Sequence, residues 1–302
     1  MSKSFEDQYF DLLDKILREG TVCVSRRQTD DSHVTRTKRI WGHMFDIDLG
    51  EEYSLLYSKH VAVTSAIREV LWIMQKQSNN INDLIPHIWD KWADKDGSIR
   101  KTYGYQIHRP VNHPMGHWPD QVSAIIGRNN IADDGMLQID PSTRHCVINM
   151  WDGETLNDNN CPPCCYTSHY TVMDGKLNIA VIQRSADTII GLPFNIAQYA
   201  FLAKAFARHL GLQPGRYIHV ITDAHIYENQ YGNFDTNELN PGFAKLMQNH
   251  KDYLASGKKM HPDVRFDESS NSFWDITDHN FKITGYKAGV DCCENISFDV
   301  TR

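Results

Sequence analysis

The chain has no run approaching the roughly 18 apolar residues that a membrane span requires. It also has no internal repeat and no low-complexity tract. A transmembrane protein, a solenoid and a disordered scaffold are therefore set aside. Positive charge is in deficit: 31 Lys and Arg stand against 38 Asp and Glu, a net charge of −7 with His neutral. No general attraction to nucleic acid or to an anionic membrane follows from that balance, although a local basic pocket for one small anion remains compatible with it. A second C-x-x-C, or a His pair at metal-finger spacing, is missing beside Cys161-Pro162-Pro163-Cys164, so no metal is expected. Seven cysteines, an odd number with the adjacent pairs Cys164-Cys165 and Cys292-Cys293, do not read as a secreted disulfide framework. The opening segment is acidic where a signal peptide is basic and then apolar, so a cytoplasmic location is expected.

At 302 residues and 41% hydrophobic, the chain has ample material for a core. Phe5, Tyr9, Phe10, Leu12, Leu13, Ile16 and Leu17 recur at helical spacing, and Gly20 is placed to stop that helix. Val61 to Gln75 is apolar almost throughout, which predicts a buried helix that carries Glu69 inward. A buried acid requires a reason. Tyr170 to Gln183 alternates around Asp174-Gly175, a two-residue hairpin signal. Asn195 to Leu210 is helical in period with Gly211 past its end, and the turn Gln213-Pro214-Gly215 precedes a strand over Arg216 to Thr222. The stretches 109–120 and 228–271 read as polar, irregular insertions. One α/β (α+β) domain over 1–302, a mixed β-sheet packed by helices, is the expected architecture.

Chemistry concentrates between Cys161 and Asn195. A thiol reacts as its thiolate and needs nearby positive charge or aligned donors. Cys164 follows a polar turn and precedes the hairpin, while Arg184-Ser185 leaves it, and a guanidinium beside a hydroxyl suits a phosphate. The amide of Asn195 is read either as the cap of its helix or as a donor and acceptor pair for the edge of a heterocycle.

On Pro163-Cys164, Gln183-Arg184-Ser185-x-Asp187, Gly191-x-Pro193-Phe194-Asn195-Ile196-Ala197-x-Tyr199, Asp223-x-His225-x-Tyr227 and Ile88-Trp89-Asp90-x-Trp92, the chain resembles the thymidylate synthase family. The run ending Arg68-Glu69-Val70-Leu71-Trp72, then Tyr103-Gly104-x-Gln106 and Gly42-His43, extends the resemblance from about Arg26 to the end, in family order.

That resemblance implies a homodimer, with a sheet face at its interface, that transfers a one-carbon unit from 5,10-methylenetetrahydrofolate to carbon 5 of a pyrimidine nucleotide, dUMP foremost. It implies Cys164 as the nucleophile that adds at carbon 6, with Glu69 working through ordered water in proton transfer, and Tyr103, Asn195 and Asp187 as further catalytic positions. Arg184, Ser185 and either Arg26 or Arg27 would bind phosphate, joined by Arg144 from the partner subunit and by His145 where a second arginine is usual. Asn195 would read the uracil edge, and His225 with Tyr227 the ribose. Asp187 would hold the pterin against Ile88, Trp89, Trp92, Ile190, Gly191 and Phe194, with Trp92 equally readable as core. Lys59 would meet the glutamate tail or stand as a solvated surface lysine.

Three positions depart from the family pattern: Cys165 and His169 where His and Gln are usual, His145, and the charged stretch Asp299-Val300-Thr301-Arg302 where an apolar tail is usual. The last bears on the product. Water instead of hydride capturing the one-carbon unit gives a hydroxymethyl group, so a hydroxymethylase of dUMP or of dCMP/CMP is the alternative. Asn195 favours uracil over cytosine, and the retained Trp89 and Trp92 favour the methyl product.

Overall fold

The computed structural model describes residues 3–25, 35–84, 88–128, 134–258, 261–267, 271–287 and 295–298. In chain order the elements are α1 (Phe5–Glu19), β1 (Thr21–Ser25), β2 (Thr35–Asp48), α2 (Val63–Met74), α3 (Tyr103–Ile107), β3 (Val111–His113), β4 (Gly116–Trp118), α4 (Gln121–Ile126), α5 (Met136–Ile139), β5 (Val147–Asn149), β6 (Cys165–Met173), β7 (Lys176–Gln183), β8 (Ala186–Asp187), α6 (Gly191–His209), β9 (Gln213–Tyr227), α7 (Glu228–Tyr231), α8 (Pro241–Ser256), β10 (Asp263–Phe266) and β11 (Phe281–Thr284). The architecture is mixed α/β, as the sequence predicts.

The main sheet runs β1-β2-β9-β7-β6-β5, with β8 also paired to β9. The fifteen-residue β9 organises it, antiparallel to β2 on one side and parallel to β7 on the other. A parallel pair cannot be joined by a hairpin and needs a crossover. Here the crossover is α6, an almost wholly buried helix that packs on β7 and β9, with Phe206 against Tyr170 of β6 and Phe201 against Phe266 of β10 and Phe281 of β11. The helix α2 packs on α6 in turn, and α1 packs on β2.

The hairpin forms around Asp174 and Gly175, both with positive φ, the geometry of a type I′ turn whose twist matches that of its strands. Three boundaries differ from the sequence expectation. Strand β6 starts at Cys165 rather than Tyr170, with a register shift between Cys165 and Thr167, because cross-strand pairing continues through the polar residues Thr167, Ser168 and His169. Helix α6 starts at Gly191, since Pro193 sits in the first turn where its missing N–H costs nothing. Asn195 is therefore one turn inside the helix and does not cap it. Pro214 and Gly215 lie within β9, pairing with β7 at its outer end.

The two polar stretches are also more ordered than expected. Residues 111–118 form the β3–β4 hairpin, and 228–271 contains α7, α8 and β10. Helix α8 was obscured because few of its residues are buried: Phe243, Leu246 and Asn249 form a stripe too narrow to read from composition. It docks through Asn249 Nδ2 donating to the Ser58 carbonyl and through the His250 ring stacked on Phe10, with ring centroids 3.6 Å apart.

A Cβ added at Gly175 meets nothing within 4 Å, so a substitution there is resisted only by the backbone at its φ of +71°. Gly175→Ala is expected to cost about 1 kcal/mol in a denaturant titration without changing function, and an unchanged midpoint would remove the turn assignment.

Candidate active site

The sheet register collects the motif residues at one end. Cys164 immediately precedes β6, and Cys165 pairs with Gln183 at the end of β7. Arg184 and Ser185 leave β7 at that point, Asp187 pairs with His225, and on the far side of β9 Arg39 pairs with His225 and Thr37 with Tyr227. Residues distant in sequence thus share one edge of the sheet.

Two cavities open there, and Cys164 borders both, together with Cys161 and Trp92. One, about 360 Å³, has a wall of Ile88, Trp89, Trp92, Tyr103, Ile190, Gly191 and Phe194, with Glu69, Asn195 and Gln198 as its polar members. The other, about 460 Å³, is polar and is bordered by Arg39, Arg184, Ser185, Asp187, Asp223, His225 and Tyr227.

Arg184 is tied to the loop that carries Cys164. Its guanidinium donates to the carbonyls of Pro162 (2.7 Å) and Pro163 (3.1 Å), and Nη2 lies 3.8 Å from Cys164 Sγ. The Arg184 backbone N–H donates to the Cys164 carbonyl, and Tyr103 Oη accepts from the Cys164 N–H at 3.3 Å. This short polar frame holds the thiol at the mouth of both cavities with a cation beside it. The five cysteines among the described residues are free thiols, and Cys161-Pro-Pro-Cys164 leads into a strand instead of opening a helix, which removes a thioredoxin-like reading. No cluster of three or more metal-ligating side chains occurs among the described residues.

Glu69, 6% exposed on α2, finds its reason here. Trp89 Nε1 donates to Oε2 at 3.0 Å and Gln198 Nε2 donates to Oε1 at 2.9 Å. Burial nevertheless dominates and pushes its pKa up to about 7, with the two donors opposing. It is both a satisfied structural carboxylate and a group able to exchange a proton near neutral pH.

Other expected positions sort less simply. The Asp187 carboxylate borders the polar cavity rather than the aromatic one, and it accepts from the N–H groups of Ile189 and Ile190 and from Gln230. Lys59 is buried, which overturns the surface-lysine reading; it borders neither cavity, donates to the Ile189 carbonyl at 2.5 Å, and burial lowers its pKa to about 8. Arg144 and His145 are exposed before β5 and border neither cavity of their own chain, and His145 instead contacts His113 at 2.9 Å. His169 also borders neither cavity, because five residues of strand carry it on the order of 16 Å from Cys164. Arg26, Arg27 and residues 299–302 lie outside the described residues.

Four neighbours escaped the sequence reading. Arg39, donating to Asp223 at 2.9 Å, reaches the polar cavity through strand register alone. Gln183, His219 and Gln198 form a buried amide and imidazole network around Asn195. For Gln198 a signal existed, namely a polar residue three positions after Asn195 in an apolar helix, hence on the same face.

A mixed α/β fold whose thiol sits between a cation-bearing polar cavity and an aromatic slot suits a class of enzyme that takes a flat, anionic ligand beside a reactive thiol. The comparisons are consistent with that class. The family model described as thymidylate synthase matches residues 7–300. A thymidylate synthase of Clostridium beijerinckii is 30% identical over 300 residues, covering 98% of each chain. The solved thermostable thymidylate synthase A of Bacillus subtilis superposes with a TM-score of 0.81 at 29% identity, covering 99% of each chain. The chain belongs to the thymidylate synthase family, and with it to the one-carbon transferases.

Because the folded pKa of Glu69 lies above its unfolded value, the folded state holds the extra proton between about pH 4.5 and 7, and stability drains away as pH rises through that window. The stability gap between the wild type and Glu69→Gln, from urea midpoints, is expected to narrow by about 3 kcal/mol between about pH 4.5 and 8. A gap that stays constant with pH would remove Glu69 as a buried proton-exchanging group.

Proposed function

We propose that the protein is a thymidylate synthase that converts dUMP to dTMP with 5,10-methylenetetrahydrofolate. The observation that carries this is the position of Cys164 on the shared border of the two cavities, 3.8 Å from the Arg184 guanidinium. In this reading the polar cavity takes the sugar phosphate. Arg184 and Ser185 bind phosphate, with Arg26 or Arg27, and His225 with Tyr227 holds the ribose. The base then reaches over Cys164 toward Asn195.

Carbon 5 of uracil is too weak a nucleophile to react unaided. Addition of the Cys164 thiolate at carbon 6 places negative charge on the ring as an enolate, and carbon 5 becomes reactive. Once the new bond at carbon 5 has formed, loss of the proton on that carbon would break the bond from the one-carbon unit to the folate nitrogen and leave a methylene. Hydride from the released tetrahydrofolate, which becomes dihydrofolate, would turn it into methyl as the carbon–sulfur bond to Cys164 breaks and the ring is restored. Glu69, poised near pH 7, exchanges protons at the base, and Tyr103 steadies the backbone of the nucleophile.

The aromatic slot suits the folate: Trp89, Trp92 and Phe194 offer flat apolar surface to a heteroaromatic ring, and Ile88, Ile190 and Gly191 complete an apolar wall. The folate supplies the one-carbon unit and, for a methyl product, the hydride. Trp89 and Trp92 exclude water from that step, which supports methyl over hydroxymethyl transfer. Asp187, whose carboxylate accepts from the Ile189 and Ile190 N–H groups and from Gln230, fixes the segment that leads into the slot. Lys59, buried and donating to the Ile189 carbonyl, anchors the segment that leads into Ile190 and Gly191 of the slot. Arg144 and His145, exposed on their own chain, are available to a second subunit's phosphate in a homodimer. The exposed apolar side chains Trp41 (82% exposed), Met44 and Val147 on the main sheet support such pairing.

Incubation with 5-fluoro-dUMP and methylenetetrahydrofolate is expected to give a stable adduct on Cys164 by intact-mass analysis; reversible binding alone would refute the proposal. Cys164→Ala should abolish turnover, by more than about a thousandfold, while leaving dUMP affinity within a few fold. The mass of the product from dUMP and from dCMP distinguishes methyl from hydroxymethyl transfer.

A further inference from the structure

Asn195 sits at the centre of a hydrogen-bond chain that reaches across the core. On one side Gln183 Nε2 donates both to the Ser185 carbonyl (2.9 Å) and to Asn195 Oδ1 (3.1 Å). Gln183 Oε1 faces His219 Nε2 at 2.7 Å, and His219 Nδ1 faces the Tyr217 hydroxyl at 2.7 Å. On the other side Asn195 Nδ2 donates to Gln198 Oε1 (3.0 Å), Gln198 Nε2 donates to Glu69 Oε1 (2.9 Å), and Trp89 Nε1 donates to Glu69 Oε2.

The direction of every amide in this chain is dictated from its ends. A backbone carbonyl only accepts, so Gln183 must turn its NH₂ toward Ser185 and its oxygen toward His219. Burial keeps His219 neutral, with its pKa down at about 3, so the ring carries one N–H, which meets Gln183 Oε1 while Nδ1 accepts from Tyr217. At the far end an indole N–H only donates, and Glu69, once ionised above its pKa of about 7, only accepts, so Gln198 turns its NH₂ to Glu69 and its oxygen to Asn195. Rotating the Asn195 amide by half a turn would set nitrogen against nitrogen at Gln183 and oxygen against oxygen at Gln198. Two hydrogen bonds would be lost together inside a buried site.

We infer that Gln198 is a positioning residue which, by bridging Glu69 to Asn195, locks the Asn195 amide in the one orientation that accepts a ring N–H and donates to a ring carbonyl. This inference rests on the proposed nucleotide chemistry and adds to it the means of base selection. With its direction fixed, Asn195 retains one acceptor lone pair and one N–H for a ligand. That pattern matches a lactam edge, as in uracil, and opposes an amidine edge, as in cytosine, where the ring nitrogen accepts and the exocyclic amine donates. An amide free to flip would serve either base. Gln198, 3% exposed and one helical turn after Asn195, is long enough to span to α2 and carries both a donor and an acceptor. Besides Glu69, the titratable groups bordering the same cavity are Cys161 and Cys164 before β6, Cys165 on β6, Tyr103 on α3 and Tyr199 on α6. On α2 itself Arg68 pairs outward with Asp278.

The test compares dUMP and dCMP affinities by calorimetry on the full-length wild type, Q198L and Q198E, with trapping by 5-fluoro-dUMP in the same preparations. The wild type and Q198L are both expected to trap the adduct, while the ratio of dUMP to dCMP affinity falls about tenfold in Q198L. Q198E keeps the size of the side chain and the acceptor toward Asn195 but can donate to Glu69 only through a shared proton. Its selectivity is therefore expected to match the wild type at about pH 6 and to be lost at about pH 9. Equal weakening of both nucleotides in Q198L, an unchanged ratio, or a Q198E ratio insensitive to pH would overturn the lock and leave the proposed reaction intact. Failure of the wild type to trap the adduct would overturn the reaction, and the lock with it.

Discussion

The parallel pairing of β7 with β9 is the constraint on which the rest depends. Two parallel neighbours cannot share a turn, so the chain must leave the sheet after β7, cross its face and return. The excursion is α6, and its first turn begins a few residues after Arg184 and Ser185. One topological requirement therefore sets the Arg184-Ser185 corner at the end of β7 and, close by, the helix that carries Phe194, Asn195 and Gln198. The antiparallel partners finish the work: β6 returns Cys164 to the same edge, and β9 ends there with Asp223, His225 and Tyr227.

Within that frame, the buried polar groups around Asn195 are partnered with one another. Glu69 accepts from an indole and from an amide, Asn195 is held between two glutamines, and His219 links a tyrosine to Gln183. Each would be costly alone in an apolar interior. Linked, they give a site whose donors and acceptors point in fixed directions before any ligand arrives, so little reorganisation is left for the reaction itself. The arrangement also accounts for the division between the cavities, with charge and solvent on the side of Arg39 and Arg184, and aromatic surface on the side of Trp89 and Phe194.

Much of this was legible in order along the chain. The opening helix, the buried helix bearing Glu69, the hairpin at Asp174-Gly175 and the motif residues Cys164, Arg184, Ser185 and Asn195 could all be read from period, turn chemistry and residue type. What escaped reading did so for identifiable reasons. Helix α8 buries too narrow a stripe to show a period, and β9 extends past its apolar run because strand pairing, not hydrophobicity, sets its length. Lys59 reads as a surface residue by type, yet its aliphatic stem is buried and its amine is satisfied by a carbonyl more than a hundred residues away.

Sequence alone determined which residue types were available and how they were spaced: a nucleophilic thiol, a guanidinium with its hydroxyl neighbour, an acid in an apolar helix, an amide followed three positions later by another. Local period and turn geometry are properties of a few consecutive residues, so they survive in the one-dimensional text. Tertiary structure alone decided which of these groups face one another, that Asn195 lies inside its helix instead of capping it, and that Asp187 spends its carboxylate on nearby backbone and Gln230. Hydrogen-bond direction is settled by partners brought together from across the chain, and strand register, not spacing, is what brings them within reach.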